Sequence, residues 1–179
     1  MITPRTGVHT VALFGVVFAV ASCATEKDNY SSALRPNGVV RSPSRDFRLV
    51  HDAGDSGTPA AYRLFTNDGE LLGTARSIIT NSMTGTMPGP PAEQTVKWSP
   101  SEKTVVIHEN MSADFPDHSY RLMQRNGTGT YDSRAIILTP RGRRPAEWPT
   151  IDSTTDSRLK LQWKSDPKSE YIPLPPPQD

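Results

Sequence analysis

The sequence has one cysteine, a net charge of only +1 and no apolar run long enough to cross a bilayer. A lone Cys23 excludes an intrachain disulfide and a cysteine-based metal site. The 20 basic and 19 acidic residues nearly cancel, so the chain has no general attraction for nucleic acid. Only 35% of the residues are hydrophobic and 17 are prolines, which predicts a thin core and favours short strands and loops over long helices.

The first 25 residues contain a single charge, Arg5, and a short apolar run, Val11–Ala21. A transmembrane helix needs roughly 20 apolar residues. The run has about half that length, which is typical of the core of an export signal. It ends in Val20-Ala21-Ser22-Cys23. Residues 1–22 are therefore predicted to be a signal peptide.

This tetrad resembles the lipobox of bacterial lipoproteins, in which an aliphatic residue and two small residues precede the modified cysteine. The resemblance implies diacylglycerol on the Cys23 sulfur, cleavage before Cys23, and acylation of the new amino terminus, for example by palmitate. Because each buried methylene contributes about 0.8 kcal/mol, two or three acyl chains would give a nearly irreversible membrane anchor. An Asp at the position of Ala24 can mark retention in the inner membrane, so its absence favours the outer membrane.

The mature chain is predicted to contain a tether, one domain and a tail. Residues 23–45 are polar and show neither a helical nor a strand period, which is typical of a flexible tether. Residues 46–174 contain short stretches of alternating apolar and polar residues, of which Arg158–Lys164 is the clearest. Turn signals such as Asn67-Asp68-Gly69 separate them. The domain is therefore predicted to be all-β, a small antiparallel sheet or sandwich built from hairpins. Residues 175–179 form a proline-rich tail.

Two segments of the domain resemble each other. In residues 47–65 and again in residues 105–123, an apolar strand ends in histidine and an acid, and Tyr-Arg-Leu then opens the next strand. His51 and His108 occupy matching positions 57 residues apart. This pattern predicts two related β units packed side by side.

The second unit also has an outside resemblance. Its Trp98–Ile107 segment is similar to the Trp-Ser-Pro-Asp-Gly-Lys turn and following strand of TolB-type β-propeller blades. Ser101-Glu102 replaces the Asp-Gly of that turn. A propeller needs at least four blades of four strands, and this chain is too short for them. The resemblance therefore implies blade-like hairpins and not a full propeller.

Histidines next to acids are the candidates for chemistry: His51-Asp52, His108-Glu109 and Asp117-His118. If the two units stack, His51 and His108 would approach each other, and with Glu109 they could bind a divalent metal or transfer protons. The alternative is that all are solvated strand ends, where histidines and acids are common. Adjacent strand residues also point to opposite faces, so a histidine and the acid next to it would not converge easily. The sequence thus offers His51, His108 and Glu109 as ligand or metal candidates, but it assigns no catalytic residue, metal or cofactor.

Gly54-Asp55-Ser56-Gly57-Thr58-Pro59 resembles the segment around the nucleophile of trypsin-like proteases, with Ser56 as the matching serine. Those proteases place their His and Asp upstream on a first barrel. Too little chain precedes Ser56 for such a barrel, so the segment is predicted to be a loop.

The sequence therefore predicts an envelope lipoprotein with a non-enzymatic β module that binds a partner or has a structural role. Its expected partners are the membrane, through the anchor at Cys23, and an envelope protein, but not nucleic acid. The alternative is a periplasmic hydrolase or metal-binding enzyme that uses the region of His51 and His108.

Overall fold

A computed structural model describes residues 31–55, 57–79, 93–110, 118–142 and 147–177. These residues form twelve strands and no helix, which confirms the predicted all-β fold. In chain order the strands are β1 (Ser31–Leu34), β2 (Val39–Arg41), β3 (Phe47–Asp52), β4 (Ala61–Thr66), β5 (Leu71–Arg76), β6 (Glu93–Trp98), β7 (Thr104–Asn110), β8 (His118–Arg125), β9 (Tyr131–Ile136), β10 (Thr150–Thr154), β11 (Arg158–Trp163) and β12 (Asp166–Pro173).

The strands form three antiparallel sheets in three layers. A five-stranded sheet in the order β1-β6-β7-β8-β9 lies between a four-stranded sheet, β2-β3-β4-β5, and a three-stranded sheet, β10-β11-β12. Apart from β1, neighbouring strands in each sheet are consecutive along the chain, as expected for hairpins.

Side chains that alternate along the central sheet form two separate cores. On β7, Val105 and Ile107 pack toward the four-stranded sheet, where they meet Leu49 and Leu64. Val106, between them, packs on the opposite face against the three-stranded sheet. The remaining buried contributors to this second core include Tyr120, Leu122, Ile151, Leu159 and Leu161. This alternation fixes which face of the sheet each neighbouring polar residue occupies.

The two similar segments adopt equivalent strand pairings. His51 of β3 lies directly opposite Tyr62 of β4, and His108 of β7 lies opposite Tyr120 of β8. Each pair belongs to a run of four strands in which every strand pairs with the next, β2–β5 in one sheet and β6–β9 in the other.

The turn between β6 and β7 is closed although it lacks glycine. Glu102 has a φ of 58° and takes the left-handed conformation that glycine adopts most easily. Its amide donates to the Ser99 carbonyl. Its carboxylate accepts from the amide and hydroxyl of Ser44, at 2.6 and 2.7 Å, and these bonds to the segment before β3 hold the side chain in place.

One predicted boundary needs correction. The tether predicted over residues 23–45 is too long, because β1 pairs with β6, β2 pairs with β3, and Leu34 and Val40 are buried. These strands have only four and three residues, too few for a period to be visible. Strand β10 has no visible alternating pattern in the sequence, because Ile151 is its only apolar residue and the pairing with β11 defines it.

Candidate functional site

The predicted lipidation site, Cys23, and the predicted signal peptide, residues 1–22, lie outside the described residues. Within the described ranges, no helix has the length and apolarity needed to cross a bilayer. The other predicted ligand candidates, His51, His108 and Glu109, all lie in the β domain.

His51 lies in the interior between the four-stranded and the five-stranded sheet. Only 1% of its surface is exposed, and its ring packs against Tyr62 with the centroids 4.8 Å apart. Burial lowers the pKa of His51 to about 4, although Asp52 and a hydrogen bond to the backbone of Ile79 raise it in part. His51 is therefore a neutral imidazole at physiological pH.

The hydrogen bonds of His51 fix which nitrogen carries the proton. The backbone amide of Asn37 donates to Nδ1 at 3.3 Å, so Nδ1 is an acceptor. In a neutral ring Nε2 must then carry the hydrogen. Nε2 lies 2.9 Å from the Ser77 hydroxyl oxygen and donates to it.

Glu109 is the acceptor in this buried cluster. It is fully buried, and its Oε1 accepts from the Tyr62 hydroxyl at 2.8 Å, from the Ile78 amide at 3.1 Å and from the Ser77 hydroxyl. Burial, together with the charge of Glu109, raises the pKa of Tyr62 far above its ordinary value. The bonds of Glu109 connect β7 to β4 and to the segment after β5, so they join the two sheets.

The direction of these bonds decides what Ser77 can do. His51 donates to the Ser77 oxygen, and the Ser77 hydroxyl donates to the Glu109 carboxylate. In a serine hydrolase the imidazole accepts the serine proton, and the acid holds the far side of the imidazole ring. Here the imidazole is a donor and the acid contacts the serine, so the arrangement orders the interior rather than activating a nucleophile.

The structure places His51 and His108 on opposite faces of the central sheet. Glu109 faces the four-stranded sheet with Val105 and Ile107, whereas His108, its neighbour on β7, faces the three-stranded sheet with Val106. His51 is thus brought together with Glu109, through Ser77, but not with His108. The described residues contain no group of three His, Cys, Asp or Glu side chains that could hold a metal ion.

His108 instead belongs to a column of stacked rings. Its ring lies 4.4 Å from that of Tyr120, and the ring of His118 lies 4.9 Å from that of Trp148. Between these pairs, His108 Nε2 lies 2.8 Å from His118 Nδ1. Burial, and to a lesser extent the neighbouring His118, lowers the pKa of His108 to about 3. Asp117, the third predicted acid, lies outside the described residues.

In the protease-like segment, Ser56 lies outside the described residues, but its neighbours form a turn. The Asp55 carboxylate accepts from the amides of Gly57 and Thr58, each at 3.0 Å. Nε2 of His51, the base that such a serine would need, is already bound to Ser77.

The sequence did not reveal Ser77, Tyr62 or Gln94 as members of the buried cluster. Ser77 follows the last residue of β5 and has no partner pattern along the chain. Gln94 lies opposite Glu109 in the sheet, and its Nε2 reaches to 3.5 Å from His51 Nδ1. Only the packing of two sheets brings these residues together. The one available signal was the burial expected for alternate positions of β6, which would place Gln94 beside Val96.

Comparison of the chain with protein-family models, with curated proteins and with solved structures gave no match. The support for a function therefore comes from the sequence and from the geometry of the described residues.

Proposed function

We propose that this chain is a bacterial envelope lipoprotein, anchored through acyl groups on Cys23, whose β domain is a non-enzymatic binding or structural module. The observation that carries the proposal is the tetrad Val20-Ala21-Ser22-Cys23. It follows a short uncharged apolar run and contains the only cysteine of the chain. Acylation would use this single thiol and leave the domain to be held together by burial and hydrogen bonds.

The fold limits how far such an anchor could hold the domain from the membrane. Strand β1 begins at Ser31, eight positions after Cys23, and is hydrogen-bonded to β6. Eight residues span at most roughly 28 Å when fully extended. The lipoprotein domain would therefore stand close to the lipid surface, with the β1 edge of the central sheet nearest the anchor.

Two features of the interior support a module without catalysis. The Ser77 hydroxyl donates its hydrogen to Glu109, and the His51 imidazole donates its hydrogen to Ser77. Neither His51 nor Ser77 therefore has the free lone pair or proton that acyl transfer requires. The same bonds span two sheets, which gives the cluster a structural role.

Mass spectrometry of the full-length gene product, expressed in a bacterial host and extracted from its membranes, tests the anchor. We expect an amino terminus at residue 23 that carries acyl groups. A Cys23→Ser variant should keep Met1 and lose the acyl mass. A Ser22→Ala variant keeps a small residue in the tetrad and should be processed normally. An intact Met1 or an unmodified thiol in the unsubstituted protein would overturn the proposal.

A fluorophosphonate probe, which labels activated serines, tests the absence of hydrolase chemistry. We expect no labelling of the purified full chain. Labelling that is lost in Ser77→Ala but kept in Ser99→Ala would instead identify Ser77 as a nucleophile. Ser99 is the matched control because it is also a buried serine, with 0% of its surface exposed.

A further inference from the structure

His108, Asn110 and His118 share one face at one end of the central sheet. His108 and Asn110 are two positions apart on β7 and therefore point to the same side. His118, at the start of β8, lies directly opposite Asn110, and Tyr120 lies opposite His108. The sheet register thus places two imidazoles and one amide within a single cross-strand square.

One ring nitrogen of each histidine faces a ring nitrogen of the other. His108 Nε2 and His118 Nδ1 are 2.8 Å apart, and their rings are inclined by 24°. Tyr120 stacks on His108 with an interplanar angle of 12°, and Trp148 stacks on His118 with an angle of 19°. The Tyr120 hydroxyl is itself tied to the Pro149 carbonyl at 2.8 Å. Both imidazoles are therefore held in fixed orientations by rings that contribute no competing ligand.

Asn110 adds an independent observation. Its Oδ1 is buried and has no hydrogen-bond partner among the described residues. A buried polar oxygen without a donor costs free energy unless something else satisfies it. A cation beside the two imidazoles would do so.

We propose that His108 Nε2, His118 Nδ1 and Asn110 Oδ1 form a binding site for a divalent transition-metal ion of the zinc class. Imidazole nitrogen is a preferred ligand of such ions, and oxygen ligands complete many of their sites. Three protein ligands leave a fourth position for water or for an exogenous ligand. The site does not depend on the lipid anchor, so the two proposals can fail separately.

Binding requires only a small rearrangement. With metal–nitrogen bonds of about 2.0–2.1 Å in tetrahedral geometry, the two nitrogens would be roughly 3.3 Å apart, so the present 2.8 Å contact must open by about 0.5 Å. The hydrogen now shared between the two nitrogens moves to the other nitrogen of the ring that carries it. Both lone pairs then face the ion, and the total number of protons is unchanged.

Equilibrium dialysis of the full chain in detergent, first treated with a chelator and then exposed to Zn²⁺, tests the site. We expect one zinc ion per chain. In spectra of the ¹⁵N-labelled imidazoles, the signals of two histidines should shift, those of His108 and His118. Replacing the partly exposed ligand, His118→Gln, should weaken zinc binding by at least tenfold, because an amide takes the place of an imidazole.

His51→Gln is the matched control, since His51 occupies the equivalent position in the other sheet opposite Tyr62. It should bind zinc as the unsubstituted chain does, and Asn110→Ala should bind it more weakly. The proposal is overturned if no zinc binds stoichiometrically. It is equally overturned if His118→Gln retains full affinity, or if the zinc-shifted signals are not those of His108 and His118.

Discussion

At the scale of single residues, Gly73 determines how closely β5 can approach β9. A Cβ atom at this position would lie 2.5 Å from the backbone oxygen of Tyr131 and 2.9 Å from the Tyr131 Cβ. Because backbone cannot move aside as a flexible side chain can, Gly73→Ala must push the two strands apart. We expect a loss of about 1–3 kcal/mol in the free energy of unfolding, measured with urea.

Gly127→Ala is the control for that substitution, because nothing lies within 4 Å of a Cβ built there. It should leave the stability unchanged or raise it slightly, since alanine restricts the unfolded chain more than glycine does. Equal losses in the two variants would show that the close approach at Gly73 has no energetic importance.

His51 links the stability of the domain to pH. Its pKa is about 4 in the folded chain and about 6.5 in an unfolded one, because burial disfavours the charged ring. Between these values the unfolded state binds a proton that the folded state does not. Protonation of His51 therefore does not reduce the free energy of unfolding above pH 6.5. As the pH falls from 6.5 toward 4, this free energy decreases by roughly 3 kcal/mol.

Urea unfolding at a series of pH values from 7 to 4 measures this dependence. His51→Gln should be less stable at pH 7 but should lose less stability across the interval, because residue 51 no longer titrates. The ion-paired Asp52 does not disturb the comparison, since its own pKa is lowered from 3.8 by the Gly54 amide and by Arg63. An unchanged slope in His51→Gln would contradict the assignment.

At the scale of elements, the bond from Tyr62 on β4 to Glu109 on β7 holds two sheets together. A hydrogen bond to a charged group contributes roughly 1.5–3 kcal/mol, and Tyr62→Phe removes it without leaving a cavity. We expect a loss of that order in chemical unfolding. Tyr171→Phe, which removes a hydroxyl from a side chain that is 55% exposed, should have almost no effect.

The elements that could be predicted from the sequence are those with a visible period and a recognisable turn. Strand β4 alternates apolar and polar residues and is followed by Asn67-Asp68-Gly69, where Gly69 has a φ of 99°. The strand spans Ala61–Thr66 and ends directly before this turn. Strands β1, β2 and β10 could not be predicted in this way, because they are short or polar and depend on a neighbouring strand.

Side-chain clusters were less predictable than strands, for a physical reason. The alternation rule correctly separates His108 from Glu109, but it does not say which sheet covers each face. The packing of the sheets brings Glu109 together with Ser77 and His51, and the pairing of β7 with β8 brings His108 together with His118. The expectation that His51 and His108 converge assumed that equivalent residues of stacked units face each other. In the structure, the central sheet presents its Glu109 face to His51 and its His108 face to the third sheet.

At the scale of the whole molecule, the central sheet contributes to both cores, so the three layers should unfold as one unit. Leu64 is fully buried in the first core and Leu161 is 1% exposed in the second. Each Leu→Ala substitution should cost about 2–5 kcal/mol. If β7 and β8 couple the layers, tryptophan fluorescence and far-ultraviolet circular dichroism should report a single coincident transition in both variants.

Leu71→Ala provides the control, because Leu71 is half exposed and should change the midpoint little. Of the two core variants, Leu161→Ala tests the coupling between the layers more stringently, because it weakens the three-stranded sheet. Trp163, 4% exposed on the same strand, reports directly on the three-stranded sheet. If that sheet detached first, fluorescence would change at a lower urea concentration than circular dichroism. Tyr120 and Leu122 would then lose their cover while the other two sheets stayed folded, and the second core would have to be regarded as a separate unit of stability.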